Sequence, residues 1–496
     1  MEMIDGLSQG FSVILGWENL YLCFLGSLIG TLIGLLPGIG PLGAISLLLP
    51  ITFQLPPVGA IAMLVSIFYG AMYGGSTTAI LINIPGEAAS VVTTLDGHKM
   101  ALSGRAGPAL GMAALGSFIA GILSLIALSF FSPMLIEAAL RFGPPENFSI
   151  IILSLVATIF MVHGSLTRAV QMIALGLLVA VVGIDVVDGQ ERFTLGLLDL
   201  TSGFDLAAVV IGLFGVSEIL LNMEDMVRGQ AIQTKLNQLW PTFRDWLASW
   251  LPILRGTVIG FIFGILPGGG PVTAAFVSYA AEKRLSHRPD RFGNGAIEGV
   301  AGPESANNAA VGGSMIPLLS LGLPSNAVTA LLLGAFIIQG VQPGPLLMSQ
   351  NPELFWGVIA AMFVGNVVLL ILNLPLIGLW VQLLRVPYAI LFPIVLLLGV
   401  VGAYSSNSNM FDVWVMIGFG VLGYILKKAH YELSPLVLAI VLGPLLEQSL
   451  RQSLIMSHEG PMIFASRPIS AAMLMAAAVL LVLLVAKKTK KGAYAS

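Results

Sequence analysis

Long apolar stretches follow one another along the whole chain, separated by short polar, glycine- or proline-bearing breaks. GMAALGSFIAGILSLIALSFF (111–131) and ISAAMLMAAAVLLVLLVA (469–486) are representative, and each is close to the ~20 residues that carry a helix across a bilayer. Read this way, the pattern predicts about eleven full crossings plus two helical hairpins. The fold class is therefore an all-α polytopic protein of the lipid bilayer.

The pattern also repeats. GSLIGTLIGLLPGIGP (26–41) matches GTVIGFIFGILPGGGP (256–271) without a gap, and GGSTTAILINIPGEA (74–88) pairs with GGSMIPLLSLGLPSNA (312–327) with one inserted residue. Internal duplication of this kind divides the chain into a first half, 1–222, a connector, 223–249, and a second half, 250–496. Each half is expected to hold a hairpin (around 18–53 and 250–282) followed by a broken span (61–94 and 292–333).

Charge then orients the halves. The loop after the first block is uncharged in copy one (QLPPVGA, 54–60), but in copy two it reads EKRLSHRPDR (282–291). After the second block the bias reverses: DGHKMALSGR (96–105) carries Lys99 and Arg105, and GAFIIQGVQPGP (334–345) carries nothing. Because Lys- and Arg-rich loops stay cytoplasmic, equivalent loops are expected on opposite sides, the mark of an inverted-topology repeat. The same rule places the N-terminus and the acidic loop 185–192 outside. It places the connector, with Arg228, Lys235 and Arg244, and the C-terminal KKTKK run inside. Its weakest point is 447–467, where Arg451 and Arg467 fall in a loop assigned outside.

Composition agrees: 57% of residues are hydrophobic and 9% charged, against roughly a quarter charged in soluble domains. The net charge of −3 gives no reason for a nucleic-acid partner. The N-terminus has neither a basic start nor a cleavage site, so it is read as part of the mature chain. The single cysteine, Cys23, is read as a packing residue, and it excludes an internal disulfide. Glycine (57) and proline (28) are abundant for a helical chain, so broken helices are expected, buried or lining a cavity.

Candidate chemistry concentrates in the repeated blocks. Pro37 and Pro267 interrupt helices, and Gly38, Gly40, Gly268 and Gly270 beyond them allow turns that leave backbone groups free to meet a ligand. Two readings fit: amides and carbonyls presented to an anion and a cation, or tight turns and glycine-mediated helix packing. The second blocks supply Ser76, Thr77, Asn83 and Gly86 in copy one, and Ser305, Asn307, Asn308, Ser314, Ser325 and Asn326 in copy two. Polar groups in a span are costly unless partnered, which makes these candidate substrate or ion ligands. Among the acids, Glu304, directly before the Ser-Ala-Asn-Asn run, is the first candidate for proton coupling, with Glu298 second. Glu87 is placed to cap a half-helix and Glu137 at an interface, and all five histidines are read as solvated. The sequence has no phosphate-binding loop, no HExxH and no Cys/His cluster. An ATPase, a metal centre and a membrane enzyme are accordingly not expected, and no cofactor is implied beyond a coupling Na+ or H+. Any Na+ would sit at the same residues.

The stretches GLLPGIGPLGAISLLLPITF, YGAMYGGSTTAILINIPGEAASVVTTLDGHKMA and GPESANNAAVGGSMIPLLSLGLPSNAVTALLLGA resemble the signature regions of the large membrane subunit of the tripartite tricarboxylate transporter family. The resemblance implies a bacterial inner-membrane permease. It would work with a small membrane subunit and a periplasmic solute-binding protein that delivers citrate or a related carboxylate. It also implies Na+ or H+ symport and elevator-type movement of an inverted-repeat core, with the N-terminus periplasmic and the C-terminus cytoplasmic. The rival classes are a channel, or a non-transporting anchor of a complex.

Overall fold

The computed structural model describes residues 2–36, 40–161, 165–185, 188–224, 239–383, 388–457 and 460–493. Gly38, Arg228 and Lys235 lie outside them. The chain is 81% helical, and the one small sheet among the described residues pairs Gly183–Ile184 with Glu191–Arg192. The principal helices of the first half are α1 (Glu2–Ile14), α2 (Trp17–Gly34), α3 (Gly40–Leu48), α4 (Pro57–Ile82), α5 (Ala106–Ala139), α6 (Pro144–Met161) and α7 (Leu166–Ala180). Those of the second half are α8 (Phe243–Ile265), α9 (Gly270–Leu285), α10 (Glu298–Leu321), α11 (Ala327–Ile338), α12 (Pro352–Asn373), α13 (Tyr388–Asn407), α14 (Met410–Lys428), α15 (Ser434–Met456) and α16 (Pro468–Ala493). The connector is shorter than its charge suggests, because Thr242 and Asp245 form a capping box that starts α8 at Phe243.

Among the described residues six helices are long and apolar enough to cross a membrane: α4, α5, α6, α8, α12 and α14. Two bent pairs raise this to eight, α1 with α2 at 84° and Gly460–Ser466 with α16 at 88°. The sequence estimate of about eleven crossings is higher than this. Outside this set fall α10, buried over Gly299–Ser320 but rich in small polar residues, and the 12-residue α11. Helices enclosed by other helices need not be apolar along their length.

The repeat is visible in the packing. Gly26, Gly30 and Gly34 lie four residues apart on one face of α2, and a Cβ on them would sit 2.3, 2.5 and 2.5 Å from the carbonyl oxygens of Met63, Ile67 and Ala71 on α4. Gly256, Gly260 and Gly264 of α8 meet the carbonyls of Gly302, Ala306 and Ala310 on α10 in the same way, at 2.3, 2.1 and 2.4 Å. Small residues at this spacing let two backbones touch, which drives helix association where lipid offers no hydrophobic contrast. Gly260→Val is therefore expected to abolish monodisperse protein in size-exclusion chromatography. Gly418→Val, at a position where an added Cβ meets nothing within 4 Å, is not.

Both broken spans end alike. Asn83 (φ 59°) closes α4 and Gly322 (φ 70°) closes α10 in the left-handed conformation. Pro85 and Pro324 follow, and Glu87 and Asn326 then cap the next helical segment in capping boxes with Ser90 and Thr329. The two spans meet crosswise, the residues before each lying by the residues after the other. Thr52, just before α4, accepts a hydrogen bond from the Gln339 side chain just after α11 at 2.6 Å. At the far end Asp96, beyond the first break, receives the amides of Gly293, Gly295 and Ala296 that lead into α10. Arg105 pairs with Asp245 at 2.5 Å, so two loops rich in basic residues share an end. Arg451 is paired with Asp185 at 2.8 Å, and Arg467 with Glu146 at 2.9 Å. Arg451 is thus neutralised by the acidic loop 185–192, and Arg467 by a carboxylate in the first turn of α6.

Candidate functional site

The two broken spans meet at Glu304. It lies nearly two turns into α10, fully buried, and its oxygens are held by the other half of the chain. Ser76 Oγ of α4 donates to Oε2 at 2.6 Å, and Thr93, in the segment after the first break, donates to Oε1. Asn307 Nδ2 reaches Oε2 at 3.4 Å. On the backbone side, Ser117 of α5 donates to the Glu304 carbonyl at 3.2 Å. Asn308 Nδ2 then links Ser117 Oγ (2.7 Å) to Asn307 Oδ1 (2.6 Å). Among the described residues no basic side chain pairs with this carboxylate.

A cavity of about 10 Å³ adjoins the cluster, on the order of the room one water needs. Its polar wall is Tyr73, Ser76, Thr77, Ser117, Glu304 and Asn373, and Leu110 and Ile377 are among its apolar lining. Tyr73 is fixed by its hydroxyl donating to Asn366 Oδ1 at 2.8 Å, and Asn366 in turn donates to the Phe118 carbonyl at 3.0 Å. The cavity thus joins α4, α5, α10 and α12.

The other predicted residues are spread around this centre. Ser305 is fully buried, with no partner for its hydroxyl among the described residues. Ser314 bonds back to the Val311 carbonyl on its own helix at 2.8 Å. Asn83 is exposed at the left-handed turn. Gly86 packs on the end of α2, where a Cβ would lie 1.8 Å from the Gly34 carbonyl. Glu298 stands in the first turn of α10, half-buried. At the second hairpin tip Gly268 and Gly270 take φ of 76° and 69°, and Gly40 takes 60° at the first. The idea that the tip leaves its amides open needs correcting for Gly268, which donates to the Ser325 carbonyl at 2.6 Å. Gly269 likewise donates to the Leu266 carbonyl at 3.0 Å. The tip is closed on its own repeat's break, with Gly270 against Asn326. His98 is also not simply solvated: its Nδ1 lies 3.0 Å from the Ile80 carbonyl. Cys23 is buried as packing, against Ser66 and Ala361.

Sequence reading missed Tyr73, Thr93, Asp96, Ser117 and Asn373. A signal existed for three of them, since Ser117, Asn373 and Asp96 are polar residues in or beside apolar runs and such residues are expensive unless used. Arg255, beside the repeated block, is engaged by Glu282 at 2.7 and 2.5 Å and is not a free clamp for a carboxylate.

The sequence pattern of the tripartite tricarboxylate transporter TctA family matches residues 20–438. The chain belongs to this family. A protein of Agrobacterium vitis, described as an uncharacterized 52.8 kDa protein in the TAR-I ttuC' 3' region, is 51% identical over 474 residues, covering 96% of this chain and 94% of its own length. A second protein of that organism, described as uncharacterized in the TAR-II ttuC' 3' region, is 54% identical over 215 residues, 43% of this chain and 89% of its own length. No solved structure matches. Membership in the TctA family supports a multi-pass membrane subunit of a tripartite transporter and implies a small membrane subunit and a periplasmic binding protein as partners. The matched span takes in both repeats and the whole Glu304 cluster.

Proposed function

We propose that this chain is the conducting subunit of a cation-coupled secondary transporter in a bacterial inner membrane. It imports tricarboxylates such as citrate, or related carboxylates, handed over by the binding protein. The observation that carries this reading is the meeting of the two broken spans at one buried carboxylate, Glu304, held by Ser76 and Thr93 of the other repeat. Buried charge between repeated, interrupted helices is the arrangement of an ion-coupling centre. The anion would be taken by hydrogen-bond donors such as Asn307, Asn308 and Ser305, and by backbone at the breaks. Coupling by Na+ or H+ follows from the Glu304 charge. In this reading the halves form an inverted repeat, the core moves against the remaining helices in an elevator, and the N-terminus is periplasmic with the C-terminus cytoplasmic.

The test is accumulation of radiolabelled citrate by proteoliposomes holding this chain, the small subunit and the loaded binding protein. The expected result is saturable uptake that follows an imposed Na+ or pH gradient. Flux without saturation or coupling would mean a channel. No flux of citrate or other carboxylates under either gradient would mean an anchor.

A further inference from the structure

We propose that the cavity beside Glu304 is a binding site for one dehydrated monovalent hard cation, Na+, with Asn373 of α12 as a ligand supplied from outside the repeated blocks. The inference rests on the transporter reading for its purpose, but binding can be measured without transport.

Four observations lead to it. A fully buried carboxylate with only hydroxyl and amide partners needs a proton or a cation to neutralise it, because unpaired charge in a low-dielectric interior is costly. Beside it lies a void of about 10 Å³, too small for a hydrated ion or a carboxylate substrate. The polar residues lining that void are Tyr73, Ser76, Thr77, Ser117, Glu304 and Asn373, whose side chains offer hydroxyl, carboxylate and amide oxygens, and oxygen donors select hard cations. The described residues hold no group of three or more His, Cys, Asp or Glu placed to hold a metal ion, and a single carboxylate matches a single positive charge.

Asn373 supplies the independent evidence. It is 4% exposed, and its Nδ2 donates to the Leu369 carbonyl at 3.0 Å and approaches Thr31 Oγ1 at 3.4 Å. Thr31 already donates its own proton to the Ser27 carbonyl, so both partners are acceptors and the amide orientation is set by them. That leaves Oδ1 as a buried acceptor with no partner among the described residues, on a side chain that lines the cavity. Such an atom is a strong sign of a missing donor or cation. Ser76 points the same way: its one proton is shared between Glu304 Oε2 at 2.6 Å and the Met72 carbonyl at 3.1 Å. A cation on the carboxylate would free that proton for Met72. With α4, α5, α10 and α12 all contributing, occupancy would tie both repeats to a helix outside their repeated blocks.

The experiment is the thermal unfolding midpoint of the purified full chain in detergent, titrated with NaCl against KCl and choline chloride at matched ionic strength. A ligand that binds only the folded state raises the midpoint saturably. The expected result is a saturable rise with Na+ alone, and at least a ~10-fold higher half-saturating concentration in Asn373→Leu, since lost ligand-shell groups cost about that much in metal affinity. Glu304→Gln is expected to remove the response. Should it fail to fold, Asn373→Leu and direct binding of 22Na+ to the native chain carry the test. Equal stabilisation by all three salts overturns the proposal, as does a wild-type Na+ response in Asn373→Leu. A midpoint that rises on acidification and ignores Na+ overturns it too, since Glu304 would then carry a proton. Saturable Na+ binding without coupled uptake would retain this site and sink the transport reading. Coupled uptake with no Na+ response would do the reverse.

Discussion

Replacing Glu304 by Gln is expected to abolish coupled accumulation of substrate while leaving the protein folded and inserted. The carboxamide keeps the volume and can accept from one of the two hydroxyls that now hold the carboxylate, Ser76 and Thr93, and donate to the other. Packing is therefore retained. What disappears is the one negative charge in the cluster, and losing one side of a buried, hydrogen-bonded charge interaction costs about 2 kcal/mol or more. Converted at 1.4 kcal/mol per decade, that is at least a ~30-fold loss of apparent affinity for the driving cation. The measurement is uptake by proteoliposomes under an imposed gradient, with size-exclusion behaviour as the folding control. Accumulation at the wild-type rate would remove Glu304 from the coupling centre. Asp at this position keeps the charge but shortens the reach to Ser76, so Glu304→Asp is expected to retain part of the activity.

The second large effect concerns stability. Asp96 is fully buried, and its Oδ1 accepts three backbone amides, from Gly293 at 2.9 Å and from Gly295 and Ala296 at 2.8 Å. Its Oδ2 accepts the Tyr279 hydroxyl at 2.9 Å. One carboxylate from the first repeat thereby satisfies the chain as it turns into α10, the helix that carries Glu304. Gly293 (φ 86°) and Gly295 (φ 99°) allow the backbone to curl its amides inward, and Gly299 leaves the room, since a Cβ there would sit 2.3 Å from Asp96 Oδ2. Asp96→Ala strands three backbone amides and the Tyr279 hydroxyl, buried or half-buried donors that cost about 1–3 kcal/mol each where water is excluded, so a loss on the order of 4 kcal/mol is expected. Tyr279→Phe removes a single donor and should cost about 1 kcal/mol. Denaturation of the two variants in the same detergent gives the comparison. If they fall together, Asp96 is not the pin between the repeats.

How much of this was legible beforehand depends on whether the determining interaction is local. The turn at Pro267 and the breaks at Pro85 and Pro324 were readable because proline and the glycines around it restrict the backbone wherever the chain goes. The capping role of Glu87 was readable for the same reason, since its bond to the Ala89 amide at 2.7 Å spans two residues. Ligand roles were harder. Gly26, Gly30, Gly34 and their copies prove to be helix contacts, and Asn326 caps α11. Ser314 only bonds its own helix, while Ser76 reaches a residue 228 positions away. Nothing in the two serines' local sequence separates these fates.

The sequence by itself determined that this is a helical membrane protein of duplicated, interrupted spans, because bilayer thickness, proline chemistry and glycine spacing act on short stretches of chain. It also carried the family likeness, because the motifs are contiguous. Only the tertiary structure decided which polar residues converge. Thr93, Ser117 and Asn373 are single hydroxyls or amides in separate segments, and Asp96 lies 197 to 200 positions from the amides it holds. Bringing them to one place requires the close backbone approach that the glycines allow, and a pairing of that range leaves no period in the chain.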